Sequence, residues 1–70
     1  MNEIAKLRVL LPHWIEHNGD HAREFRQWAG RAGPAEMHIV AAADLVEEAN
    51  VHLQQALELV IQTDSGEDSV

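Results

Sequence analysis

Gly30, Gly33 and Pro34 interrupt an otherwise sustained helical periodicity, and no other five-residue stretch of this 70-residue chain combines glycine and proline in this way. On the N-terminal side Leu7, Leu10, Leu11, Trp14, Phe25 and Trp28 fall within one arc when each residue turns about 100°. On the C-terminal side Ala42, Leu45, Ala49, Leu53, Ala56 and Val60 form a stripe, widened by Val46 and Leu57. The pattern predicts two amphipathic helices over about 3–29 and 34–61, joined by a glycine cap and a proline that opens the second helix. Pro12 removes the amide that would bond the Arg8 carbonyl, which predicts a bend or a separate first segment. Asn18-Gly19 has turn character, but the apolar pattern stays in phase across it, so the helix is expected to continue.

The fold class expected is all-α: an antiparallel helical hairpin over residues 1–62, followed by a disordered acidic tail over 63–70. Two amphipathic helices cover only part of each other's apolar surface, and a chain this short lies near the lower limit for an autonomous core. A homodimer that forms a four-helix bundle is therefore expected. The competing arrangement is a monomer whose residues before Pro12 fold back as a lid. No apolar run approaches the roughly 18 residues of a membrane span and no signal-peptide cleavage pattern opens the chain, so a cytoplasmic protein without membrane contact is expected. The net charge of −7 disfavours nucleic acid, whose phosphates require clustered Lys and Arg. Arg23, Arg26 and Arg31 suit the C-terminal end of the first helix and are expected to pair with Glu24 or Glu36.

The chemistry of the chain lies in its histidines. There is no cysteine, so disulfides, thiolate metal sites and cysteine nucleophiles are excluded, and any site must use nitrogen and oxygen. His13, His17 and His21 recur every four residues, a spacing that stacks three imidazoles along one side of a helix, and Glu24 follows three residues later. Relative to Trp14, His21 lies about 20°, His17 about 60° and His13 about 100° around the helix, which predicts a buried His21 and a His17 at the core edge. On the second helix His38, Leu45, His52 and Leu59 repeat every seven residues, and Glu48 lies one turn before His52. Folding the hairpin near residue 32 sets His13 opposite His52 and His17 opposite Glu48. A lone histidine at a core edge is ordinarily a hydrogen-bonded structural residue; several from facing helices make a ligand set. The metal ligands expected are His13, His17, His21, Glu24, Glu48 and His52, with no role assigned to His38. Such a set suits nickel, cobalt, zinc or iron.

The stretch KLRVLLPHWIEHNGDHAREFRQWA resembles a small family of mostly uncharacterised bacterial and archaeal domains with an LPHWIEHN core, a following histidine and glutamate, and a second helix rich in alanine and leucine. The likeness covers about residues 6 to 59 and marks Pro12, His13, Trp14, Glu16, His17, Asn18, His21 and Glu24. It implies a loose association with nickel or cobalt handling. Gly19 departs from the better helix formers expected between Asn18 and His21.

The function expected is a small soluble transition-metal-binding protein that carries, buffers or senses its ion, alone or beside a larger metalloprotein or maturation partner. Proton competition for its ligands would release metal as the pH falls toward about 6. The alternative is a helical dimerisation or interaction module with structural or pH-sensing histidines and no metal. Nucleophilic catalysis is not expected, since Thr63 and Ser65 have no base in register, and a catalytic variant with water on an open metal position would need a substrate cleft that so short a chain can form only at a dimer interface.

Overall fold

The computed structural model describes residues 2–63. Two helices, α1 (Glu3–Ala29) and α2 (Glu36–Gln62), pack against each other as an antiparallel hairpin, and there is no strand among the described residues. The tail expected over 63–70 lies, apart from Thr63, outside the described residues.

Local chemistry sets the boundaries. The Asn2 side chain accepts a 2.7 Å hydrogen bond from the Ala5 amide, which satisfies one of the four orphan donors of the first turn. The helix runs through Pro12 without interruption, so the separate first segment and the folded-back lid are not formed. The proline costs α1 one hydrogen bond at an exposed position. At the other end Gly30 retains right-handed geometry, and the left-handed residue is Gly33, at φ 57°. That conformation favours glycine, and it turns the chain into a short 3-10 segment (Gly33–Ala35) on which Pro34 starts the second helix.

The two helices meet along stripes with strict alternation of three- and four-residue steps. In α1 the contact stripe is Ile4, Arg8, Leu11, Ile15, Asn18, Ala22, Phe25 and Ala29; in α2 it is Ile39, Ala43, Val46, Asn50, Leu53, Leu57 and Val60. Every member is buried or half-buried. This is the seam of an antiparallel coiled coil. Leu11, Ala22, Ala29 and Ala43 are the buried apolar residues, and small side chains at three of these four sites permit close approach near the turn.

The register is fixed by polar groups inside the seam. Asn18 Nδ2 donates to Asn50 Oδ1 at 3.2 Å, and Asn50 Nδ2 donates to the Ile15 carbonyl at 2.9 Å. Asn18 therefore stands level with Asn50. The same register sets Leu11 level with Leu57 and Phe25 level with Ala43. Nearer the turn, Arg26 donates to Glu47 at 2.6 Å and to Asp44 at 2.7 Å. These hydrogen bonds, that to Glu47 first, raise the guanidinium above its already high pKa. At the open end Arg8 donates to the Thr63 carbonyl at 2.8 Å. Arg26 and Arg23 thus pair with Asp44, Glu47 and Asp20, not with Glu24 or Glu36, because antiparallel packing brings the acids of α2 beside Arg26.

The contact stripe is not the one that apolar weight alone indicates. Leu10, Trp14 and Trp28 are 39%, 40% and 57% exposed, and Leu45 is 64% exposed. The seam of α1 is rotated roughly 70° from Trp14 toward Ile15 and Ala22. The displaced residues form a second stripe with the same alternating steps: Leu7, Leu10, Trp14, His17, His21, Glu24 and Trp28 on α1, and His38, Ala42, Leu45, Ala49, His52, Ala56 and Leu59 on α2. The two stripes of each helix lie roughly 100° apart. Both second stripes are displaced in the same rotational sense, so in an antiparallel pair they emerge on one side of the hairpin.

Two outcomes follow for stability. Asn50→Ala leaves the half-buried Asn18 amide without its partner and is expected to cost about 1–2 kcal/mol in thermal unfolding, whereas leucine at both positions should raise the melting temperature while loosening the register. At Gly19, which lies inside α1 with room for a Cβ 3.7 Å from Arg23 Nη1, Gly19→Ala is expected to stabilise the protein by about 0.5–1 kcal/mol.

Candidate metal centre

The three histidines of α1 form a continuous row because an α-helix returns nearly to the same azimuth after four residues. The rings of His13 and His17 lie 5.9 Å apart between centroids, and those of His17 and His21 lie 4.6 Å apart in an edge-to-face arrangement. His21 also stacks on Phe25 at 6.1 Å, which leans its ring back toward the seam. Glu24 Oε1 lies 3.6 Å from His21 Nδ1. His17, His21 and Glu24 thus make a compact cluster of two imidazoles and a carboxylate within two turns.

The cluster faces outward. The His21 side chain is 47% exposed, so it is not the buried residue that its nearness to Trp14 implies; the seam passes on the other side of Trp14. Two shallow clefts flank the row and share His17. One is lined by His13, Trp14, His17, Asn18 and Leu53, the other by His17, Asp20, His21, Arg23, Glu24 and Gln27. The first reaches the seam through Asn18 and Leu53. The second is polar and open to solvent.

The register separates the six residues expected as ligands. Because Asn18 is level with Asn50, His17 is level with His52, and His13 falls about one turn further along, near Gln55. The opposition of His13 with His52 and of His17 with Glu48 does not form, since the hairpin closes about three residues out of the register obtained by folding at residue 32. His17, His21, Glu24 and His52 lie on the second stripe. His13 and Glu48 lie on the sides of their helices turned away from the seam, and both are exposed. His38 is exposed on the same stripe as His52, two turns beyond Leu45 toward the turn end of the hairpin. Among the described residues no three histidine, aspartate or glutamate side chains of one chain stand in an arrangement that could hold a metal ion.

The features that sequence reasoning missed are the Asn18–Asn50 pair and the exposed tryptophans. Arg31 lies over the Trp28 ring at 5.3 Å from its centroid, a cation–π contact that covers part of an otherwise open indole. The signal for both was present in the unbroken three–four spacing that runs through Asn18 and Asn50.

A family model matches residues 7–60, from the first apolar residues of the second stripe through the end of the seam on α2. The chain belongs to the family described as a domain of unknown function (DUF8180). The match takes in both helices and the turn, so the hairpin as a whole is the family's unit. No curated protein and no solved structure matches the chain.

Since the histidine row is exposed and outside the seam, replacing His17 or Glu24 by alanine is expected to change unfolding free energy by less than about 0.5 kcal/mol, as read from thermal or urea unfolding of metal-free protein.

Proposed function

We propose that this protein is a small transition-metal-binding protein that carries, buffers or senses its ion, with His17 and His21 as the principal ligands and Glu24 beside them. The observation that carries this reading is the 4.6 Å separation of the His17 and His21 rings, with the Glu24 carboxylate 3.6 Å from His21. Two imidazoles at that spacing on one helix suit nickel, cobalt, zinc or iron(II), and a carboxylate nearby adds a negative charge that divalent cations favour. His13, 5.9 Å from His17, extends the row and supplies a further nitrogen for an incoming or departing ion. Glu48 is assigned only a peripheral part, on the outer side of α2. Nickel or cobalt handling is also what the resemblance carried by LPHWIEHN implies. So does the acidic charge of the chain, −7, which raises the local concentration of cations.

The ligands are neutral imidazoles, so protons compete with the ion and affinity falls as the pH is lowered. An exposed site with few protein ligands exchanges its ion readily, which fits transfer or sensing better than permanent structural retention. We assign no catalytic step to it. A delivery role implies a recipient, a larger metalloprotein or its maturation machinery, and a cytoplasmic setting is proposed with it.

A second reading is favoured by a different observation, the exposure of Trp14, Trp28, Leu45 and Leu59. In it the hairpin is a dimerisation or docking module, and the histidines of the second stripe supply specificity or pH sensitivity without metal. Calorimetric titration separates the two. The metal reading predicts that His17→Ala with His21→Ala weakens nickel or zinc binding by at least about tenfold, 1.4 kcal/mol or more. Unchanged affinity in that double variant would remove these residues from the site. Wild-type affinity no better than that of an isolated surface histidine pair would favour the module.

A further inference from the structure

The second stripe is too large and too regular to be left in water. Five of its six large apolar side chains, Leu10, Trp14, Trp28, Leu45 and Leu59, are between 39% and 65% exposed, Leu7 is half-buried, and no large side chain of the hairpin is fully buried. Together they leave on the order of 500 Å² uncovered, against about 800 Å² per partner in an interface of standard size, and the intervening histidines and alanines extend the patch. The surface is also nearly free of charge. In a chain of net charge −7 the stripe carries only Glu24, so two copies can meet along it without strong repulsion.

We infer that the stripe is closed by a second copy of this chain, and that the metal site is completed across that interface by His52 of the second copy. Each helix bears two stripes roughly 100° apart, the geometry of a helix at the corner of a square four-helix bundle, and the hairpin presents both second stripes on one side. Two hairpins face to face therefore leave no stripe open. This rests on the metal-binding reading above and adds the partner and the missing ligand.

Helix direction and the spread of bulky residues select the arrangement. In the register set by Asn18 and Asn50, Trp14 falls midway between His52 and Ala56, His21 between Leu45 and Ala49, and Trp28 between His38 and Ala42. A two-fold axis parallel to the helices preserves these levels and sets α1 of one copy over α2 of the other. Each tryptophan then has an alanine, Ala56 or Ala42, within about half a turn, as close packing requires, and Leu10 meets Leu59. A two-fold axis perpendicular to the helices sets α1 over α1, bringing the bulky residues of α1 onto one another. The first arrangement keeps every neighbouring pair antiparallel and brings His52 of the second copy to the level of His17, one turn from His21. Among the described residues one chain gathers no three ligands by itself; across the interface His17 and His21 of one copy gain a third nitrogen, twice per dimer.

Complementation between variants tests this with cobalt(II), whose visible spectrum reports nitrogen ligation. His52→Ala protein and His17→Ala/His21→Ala protein are each expected to lose at least tenfold in affinity while remaining helical dimers. Unfolded together in equal amounts and refolded, half the dimers contain one intact site, so tight binding should return at about a quarter of wild-type capacity. A mixture that binds no better than its components overturns the inference, as does a wild-type monomer that binds cobalt tightly; both leave the metal reading standing. A wild-type dimer that binds no cobalt, nickel or zinc overturns both. Leu59→Glu, which places a charge within the stripe two turns from His52 and level with Leu10, away from the ligands, should convert the dimer to monomer in sedimentation and weaken cobalt binding with it. If the Leu59→Glu protein remains dimeric, the interface is elsewhere.

Discussion

The Asn18–Asn50 hydrogen bond, with its continuation to the Ile15 carbonyl, sets the positions of everything else in the hairpin. A seam of leucine, isoleucine and alanine is tolerant of sliding, because one apolar step resembles the next. A polar residue in the seam is not: any shift of a turn strands two half-buried amides. The pair therefore exchanges some stability for a single alignment. That alignment decides which histidines share a level, so the metal chemistry proposed for this chain depends on two residues that bind no metal.

Much of the architecture was legible from the residues. The three–four spacing on either side of Gly30–Pro34 required two helices and a short connection, and the helix continues through Asn18-Gly19 as expected, whereas at Pro12 it runs on where a separate first segment was expected. The face each helix turns to its partner was not legible in the same way. Weighting by apolar size centred α1 on Trp14, but the helices approach along Ala22 and Ala29, where small side chains let backbones close and where Asn18 can find Asn50. Large residues dominate a periodicity analysis, whereas small ones determine where helices touch. The exposed tryptophans belong to a second surface that the first pairing leaves uncovered.

The candidate site shows the same division. The row of His13, His17 and His21 followed directly from helical spacing and is present, with Glu24 beside its end. The contribution of α2 depended on the register, and the register is a property of tertiary contacts. A shift of about three residues moves His52 from His13 to His17 and leaves Glu48 facing outward. A single chain then presents two imidazoles and a carboxylate close together on one exposed helix face. In the proposed dimer, residues of the same stripe that are left exposed in the hairpin would supply both the apolar surface for association and the remaining nitrogen.

In the proposed dimer one surface serves both metal binding and assembly. Native mass spectrometry of untagged, gently purified protein measures both quantities in one spectrum. The predicted result is a dimer that retains, or takes up on addition, nickel, cobalt, zinc or iron at near one ion per chain. A monomer that remains free of metal after equimolar addition would contradict it.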